Sequence, residues 1–274
     1  MAASINTNVA SMLAMQNLSR TQSELTTTQA RISTGQKVSS AKDNGAIFAI
    51  AQNMRGSSTA LNSVRESLQR GQSSVDVAMA AGETISDLLN QMKEKALSAS
   101  DTQLNTTSRN AMNADYVALR DQITKAVNNA NFNGFNLIKG TTDLAALADE
   151  TGTSKITVAV QSLALGGANV TVTTTSTVSN QATVAAQLTL VNASIKNVSL
   201  ALSKLGSGSK ALTTHLSFVN KLQDAIDAGI GNIVDADLAK ESAKIQALQT
   251  KQQLGFQALS IANQGPSSLL SLFR

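Results

Sequence analysis

The chain has 274 residues, a net charge of +4 and a pI near 9.4, with 3% aromatic and 15% charged residues, one proline, one histidine and no cysteine. Zero cysteines exclude a disulfide framework, thiol catalysis and zinc–thiolate centres, and the shortage of aromatic and titratable groups argues against an enzyme pocket. Lys and Arg are scattered among Asp and Glu with no basic stripe for nucleic acid, no apolar run nears the roughly 20 residues a membrane helix needs, and no cleavable leader is visible.

The N-terminal stretch sets Ile5, Val9, Met12, Leu13, Leu18, Leu25 and Ile32 in a background of Ser, Thr, Asn and Gln. It predicts a weakly striped amphipathic helix, marginal alone because helix stability in water comes mostly from packing. Ser40-Ala41-Lys42-Asp43 then offers a polar cap with a carboxylate three residues on.

The strongest periodic signal follows. Ile47, Ile50, Met54, Leu61, Val64, Leu68, Val75, Ile85 and Leu89 fall at alternating steps of three and four. That spacing predicts one helix with a single apolar stripe. At 1.5 Å per residue, about 50 residues make a rod of about 75–80 Å. The polar stretch Ser98–Asn105 ends it. Met112, Tyr116, Leu119 and Ile123 mark a shorter helix, whose brief connection favours an antiparallel return.

Asn131 to Asn136 is dense in turn formers, and Asn133-Gly134 suits a tight turn with positive φ. Beyond it, Lys155–Val160 and Asn169–Thr173 alternate and are β-branched. With Leu165–Ala168 between them they predict a hairpin, inside a non-helical region of about 134–183. The same region is rich in hydroxyls: Thr171, Thr173, Thr174, Thr175, Ser176 and Thr177 are candidates for O-linked glycosylation, against the plainer reading of strand and loop composition.

A third stripe includes Val184, Leu188, Val191, Ile195, Leu202 and Leu216, and its register survives Gly206-Ser207-Gly208, so one long helix is expected. His215 lies on it with no second histidine, which reads as a surface side chain rather than a ligand or base. Asp235 and Asp237 precede the last helix as caps. The C-terminal stretch carries Leu238, Ile245, Leu248, Phe256, Leu259, Leu269, Leu270, Leu272 and Phe273 on an equally weak stripe. The predicted fold is mainly α: a long antiparallel coiled-coil bundle with a small β-hairpin region and paired N- and C-terminal helices. The two underburied ends predict a subunit that polymerises through them.

Particular segments carry a family resemblance. They are Ile5-Asn6-Thr7-Asn8, Arg31-Ile32-Ser33-Thr34-Gly35, Ser40 to Asn44, Ala49-Ile50-Ala51, Asn131-Phe132-Asn133-Gly134, Ala262-Asn263-Gln264 with Pro266, and Leu269 to Arg274. Their order and spacing resemble bacterial flagellins, particularly short alphaproteobacterial forms, over all but about 141–185. The resemblance implies a filament subunit for swimming motility. It implies an inner-tube domain of 1–42 with 236–274, a surrounding helical layer of 43–235, and no large outer domain. It also implies export by the flagellar type III apparatus without a cleaved signal, an extracellular filament, and as partners further copies of the chain, an export chaperone, a filament cap and hook-associated junction proteins. No cofactor or metal is implied. In many flagellins an Arg and a Leu in the segment matching Leu89–Leu97 are recognised by the vertebrate innate receptor for flagellin. Gln91 and Lys95 stand there instead, and Asp115 replaces a nearby Glu, so weak activation is expected. A hook–filament junction protein and a secreted membrane-active helical protein are the competing readings. The latter is disfavoured because the polar faces of the ends carry little Lys or Arg.

Overall fold

The computed structural model describes the backbone of residues 7–271 and the side chains of residues 7–264. Five helices and one small sheet are present among the described residues. Each helix begins where a side chain satisfies its free N–H groups. Asn8 caps α1 (Val9–Thr34), its Oδ1 accepting from the Ser11 N–H at 3.1 Å, and Gly35 ends it at φ 70°. Helix α2 (Gly45–Ala99) is capped by Asn44, which accepts from the Ile47 N–H at 3.1 Å. The expected cap at Ser40, with the Asp43 carboxylate three residues on, lies four residues before the cap that forms. The Asp43 carboxylate is occupied closing its own turn, accepting from the N–H groups and hydroxyls of both Ser39 and Ser40. The Ser40 N–H leads the contacts that hold this carboxyl below its ordinary pKa. Asn105 caps α3 (Thr106–Asn129) and Asp237 caps α5 (Leu238–Ser271). Helix α4 (Gln181–Val234) runs unbroken through Gly206-Ser207-Gly208, as the continuous stripe predicted.

The chain divides into two compact units, residues 57–224 and residues 1–56 with 225–274. In the first, α2 and α4 run antiparallel. Gly82 lies against Leu202, Gly71 near Leu212, and Gln223 donates to Asn62. Helix α3 folds back beside α2, with Lys95 paired to Asp115 at 2.9 Å. Leu61, Val64, Leu68, Val75, Ile85, Leu89 and Val191 are buried, together with Tyr116, Ile123 and Leu205, which are fully buried. Leu188, Ile195, Leu202 and Leu216 are half-buried. Burial of these stripes at roughly 25 cal/mol per Å² is the main term holding the bundle.

The β region differs from expectation in one strand. Strand β2 (Lys155–Val158) was expected, but its antiparallel partner is β1 (Leu144–Leu147), with Leu144 opposite Val158 and Leu147 opposite Lys155. Leu-Ala-Ala-Leu has no β-branched residue and reads as helix. Asn169–Thr173 forms no strand; α4 takes its polar groups through the Ser194 hydroxyl and the Leu190 carbonyl. The Thr171 N–H donates to Ser194 Oγ at 2.9 Å, and Thr171 Oγ1 donates to the Leu190 carbonyl at 2.9 Å. Residues 161 and 163 instead donate to the carbonyls of Leu137 and Ile138. The turn at Asn133-Gly134 forms as predicted: φ is 51° and 82°, and Phe132 and Phe135 exchange both backbone hydrogen bonds.

In the second unit α1 and α5 run antiparallel. The linker after α1 is stitched to the junction before α5: Lys37 N–H donates to Val234 carbonyl at 2.6 Å, and Ala236 N–H to Gly35 carbonyl at 2.9 Å. Ile50 was expected in the bundle core and is 54% exposed. It belongs to this unit, where Ala51 is the buried neighbour on α2, while Ile47 and Met54 are half-buried.

Candidate assembly surface

Helices α1 and α5 hide little of what they carry. Among described side chains α1 buries only Thr21, Leu25 and Thr28, and α5 only Leu248. Leu18, Ile32, Ile245 and Leu259 are half-buried. Met12, Leu13, Leu238 and Phe256 are exposed, as are Val9 and Ile261 at 73% and 71% and also Met15 and Leu254. Sequence reading missed Met15 because it sits off the main stripe. Leu269 and Leu270 lie on helical backbone with undescribed side chains, and Ile5, Leu272 and Phe273 fall outside the described residues. Eight large apolar side chains are open to water on these two helices, which makes the helices the candidate surface for association. The other unit adds Leu97, Leu200, Phe218 and Leu222.

Chemical sites are sparse. Among the described residues no three His, Asp or Glu converge as a metal site, and no helix is long and apolar enough to cross a membrane. The His215 Nε2 stands 2.7 Å from the Ala148 carbonyl, tying the hairpin to α4, with its ring beside Phe218. At that hairpin's turn the Asp149 carboxyl, held below its ordinary pKa chiefly by the Thr151 hydroxyl, also accepts from Thr153. Of the glycosylation candidates, Ser176 is buried and Thr171 is engaged with α4, Thr177 is half-buried, and Thr173, Thr174 and Thr175 are exposed. Gln91 is exposed. The Asp115 carboxylate, by hydrogen bond and charge, raises the pKa of Lys95.

Sequence reading also missed Arg109, which is buried on α3. Its guanidinium donates to the carbonyls of Ala99, Asp101 and Leu104 at the end of α2, and to the Gln181 Oε1 at the start of α4. No stripe could reveal it, since its partners are backbone carbonyls at and just beyond the end of α2 and one amide side chain on α4.

Residues 5–143 match the bacterial flagellin N-terminal helical region, and residues 188–273 match the bacterial flagellin C-terminal helical region. This chain belongs to the bacterial flagellin family. It is 57% identical to flagellin FljK of Caulobacter vibrioides over 272 residues, covering 99% of this chain and 98% of the relative. It is 34% identical to a flagellin of Brucella melitensis, covering 99% of each chain. Two solved structures share the fold. A Bacillus cereus flagellin aligns with a TM-score of 0.50 at 22% identity, over 56% of this chain and 88% of that one. A flagellar hook-associated protein of Vibrio parahaemolyticus aligns at 0.57 and 16%, over 70% and 100%. At such identities these two speak for fold alone, so the full-length sequence relatives decide for flagellin over junction protein. The chain is therefore a structural filament subunit that associates with its own copies.

Proposed function

We propose that this flagellin assembles by burying the open apolar faces of α1 and α5 between copies. In this reading residues 1–42 and 236–274 line the inner tube, and residues 43–235 form the layer around it. The observation that carries the reading is the concentration of exposed Val9, Met12, Leu13, Leu254, Phe256 and Ile261 on those two helices. At about 25 cal/mol per Å², covering several such side chains supplies many kcal/mol per subunit. An end that completes its folding only on assembly also fits unfolded type III export without a cleaved signal. An export chaperone covering the C-terminal helix, a filament cap and hook-associated junction proteins are the partners this reading requires. Deleting residues 260–274 should leave a soluble chain that no longer sediments as filaments. Normal filaments from that truncation would refute the reading. The exposed hydroxyls of Thr173, Thr174 and Thr175 are the preferred acceptors for O-linked sugar. An intact mass equal to the bare chain, allowing for loss of Met1, dismisses that part.

A further inference from the structure

We propose that the Arg31–Glu241 ion pair, backed by a glycine notch at Gly255, sets the register in which α1 and α5 pair. The apolar seam alone cannot set it. Each helix buries one large apolar side chain, Leu25 on α1 and Leu248 on α5. Sliding α5 by one turn brings Ile245 to the place of Leu248, so apolar contact survives the slip. The ion pair does not survive it, because Leu238 then replaces Glu241 opposite Arg31, whereas Gln249 and Ser260 take the places of Gln252 and Asn263 and can remake those polar contacts. Arg31 Nη1 meets Glu241 Oε1 at 3.3 Å. Gln252 Nε2 donates to Gln22 Oε1. Ser11 Oγ donates to Asn263 Oδ1 at 2.8 Å, and Asn8 Nδ2 to the Ala262 carbonyl at 2.7 Å. These rungs recur roughly every three turns along the pair. Between them Gly255 forms a notch filled by Leu18, where a Cβ would come within 3.1 Å of Leu18 Cδ1. A slip of one turn places Gln252 or Ala258 there: the Ala258 Cβ asks Leu18 Cδ1 to give by a few tenths of an ångström, and the longer Gln252 side chain asks for more.

The ion pair is the deciding rung for two reasons. First, it is already short of partners. Arg31 Nε, Glu241 Oε2 and the hydroxyl of fully buried Thr28 are all buried without a hydrogen bond. A slip of one turn sets Arg31 against Leu238 or Lys244 and Glu241 against Thr28 or Thr34, so two half-buried charges, 29% and 12% exposed, lose their opposite partner and gain none. Second, the signs suit the helix ends. Arg31 lies in the last turn of α1 and Glu241 in the first turn of α5, where the two helix dipoles favour a cation and an anion respectively.

The proposal deepens the assembly reading, and its test is independent of filament formation. The chain has no cysteine, so introduced pairs report register directly. A Cβ on Gly255 would stand 3.9 Å from Leu18 Cβ, which suits a disulfide. In the full-length chain, Leu18→Cys is combined with Gly255→Cys, Gln252→Cys or Ala258→Cys, and intrachain disulfide is measured by mass after mild oxidation. The 18–255 pair should close about tenfold in preference to either slipped pair, a difference of about 1.4 kcal/mol. Arg31→Glu and Glu241→Arg should each reduce that preference to about twofold or less. Together they should restore most of it, short of the parent because both charges then oppose the helix dipoles. Equal yields in the parent, a preference unmoved by either single change, loss in only one of them, or no restoration in the double swap overturns the proposal. Filament formation, read separately by sedimentation, bears only on the assembly reading.

Discussion

Gly206 and Gly208 lie two residues apart on α4, and replacing each with alanine should change stability in opposite directions. A Cβ on Gly206 meets nothing within 4 Å. Gly206→Ala therefore keeps only the gain in helix propensity and the loss of unfolded-chain entropy, about 0.5–1 kcal/mol. A Cβ on Gly208 would stand 2.6 Å from Val158 Cγ1, 2.9 Å from Cγ2 and 3.3 Å from Cβ. Carbon atoms in contact prefer about 3.5–4.0 Å, so strand β2 must retreat by close to 1 Å. Val158 cannot turn aside. It is 3% exposed, β-branched and stiff at χ1, and it sits in the ladder opposite Leu144. Overpacking of this kind costs about 1–3 kcal/mol, against the same propensity gain. The two variants should thus differ by about 1–3 kcal/mol. For a unit of this size each kcal/mol shifts Tm by about 2–4 °C, giving a separation of about 2–12 °C by thermal circular dichroism of soluble chain. Adding Val158→Ala to Gly208→Ala should recover part of the loss by vacating the contested space. Gly208→Ala as stable as Gly206→Ala would refute the claim that the hairpin rests on bare helix backbone at that point.

Burial pushes the Tyr116 phenol up to about 12, while Arg120 pulls it slightly down, and its hydroxyl has no hydrogen-bond partner. The folded chain thus holds this proton more tightly than the unfolded chain. Its contribution is whole below pH 10 and is lost as pH rises from 10 towards 12. In urea titrations Tyr116→Phe should equal or exceed the parent by up to about 1 kcal/mol at pH 8. It should then gain about 1 kcal/mol more on the parent between pH 10 and 11; parallel pH profiles would contradict the burial argument. Arg109→Met removes charge-assisted bonds and strands the Ala99 carbonyl, for a loss of about 2–4 kcal/mol by chemical denaturation. Arg109→Lys should recover less than half, because an ammonium lacks the fork that spans α2 carbonyls and Gln181 together. With Gln91 exposed and Lys95 paired to Asp115, purified monomer should activate reporter cells for the vertebrate flagellin receptor only weakly. A response matching a typical enteric flagellin would refute that reading.

Periodicity exposed the long helices because a stripe such as Leu61, Val64, Leu68 and Val75 has one physical use, burial against another helix. It carried α4 through two glycines for the same reason: Gly208 is there to admit Val158, not to break the helix. The Asn133-Gly134 turn was legible because few other dipeptides accept two consecutive positive φ values. What stayed hidden depends on side chains reaching across the chain. Ser194 disarms a segment that otherwise reads as a strand, and Leu144–Leu147 becomes a strand only because β2 is beside it. The cap at Asn44 was misplaced because Ser40 with Asp43 three residues on reads as a capping box, whereas the two bond each other in a turn that ends before the helix begins. Arg109 gave no periodic signal, since its acceptors are carbonyls that every residue owns.

The assembly helices expose a different limit. A strong apolar seam between α1 and α5 would have been easy to read, and it would also hold the pair in several registers one turn apart. These helices instead combine one buried leucine each with polar rungs and a glycine notch. The ion pair adds little net stability in water but penalises a one-turn misalignment, which leaves both of its half-buried charges unpaired. In the proposed assembly such a pair is weak until further copies cover Val9, Met12, Phe256 and Ile261, and the proposed ion pair would make it specific from the moment it forms. The faint stripes of the two ends are therefore consistent with the strong stripes of the middle: the bundle needs depth of burial, whereas the ends need a single alignment and surface left open for the next subunit.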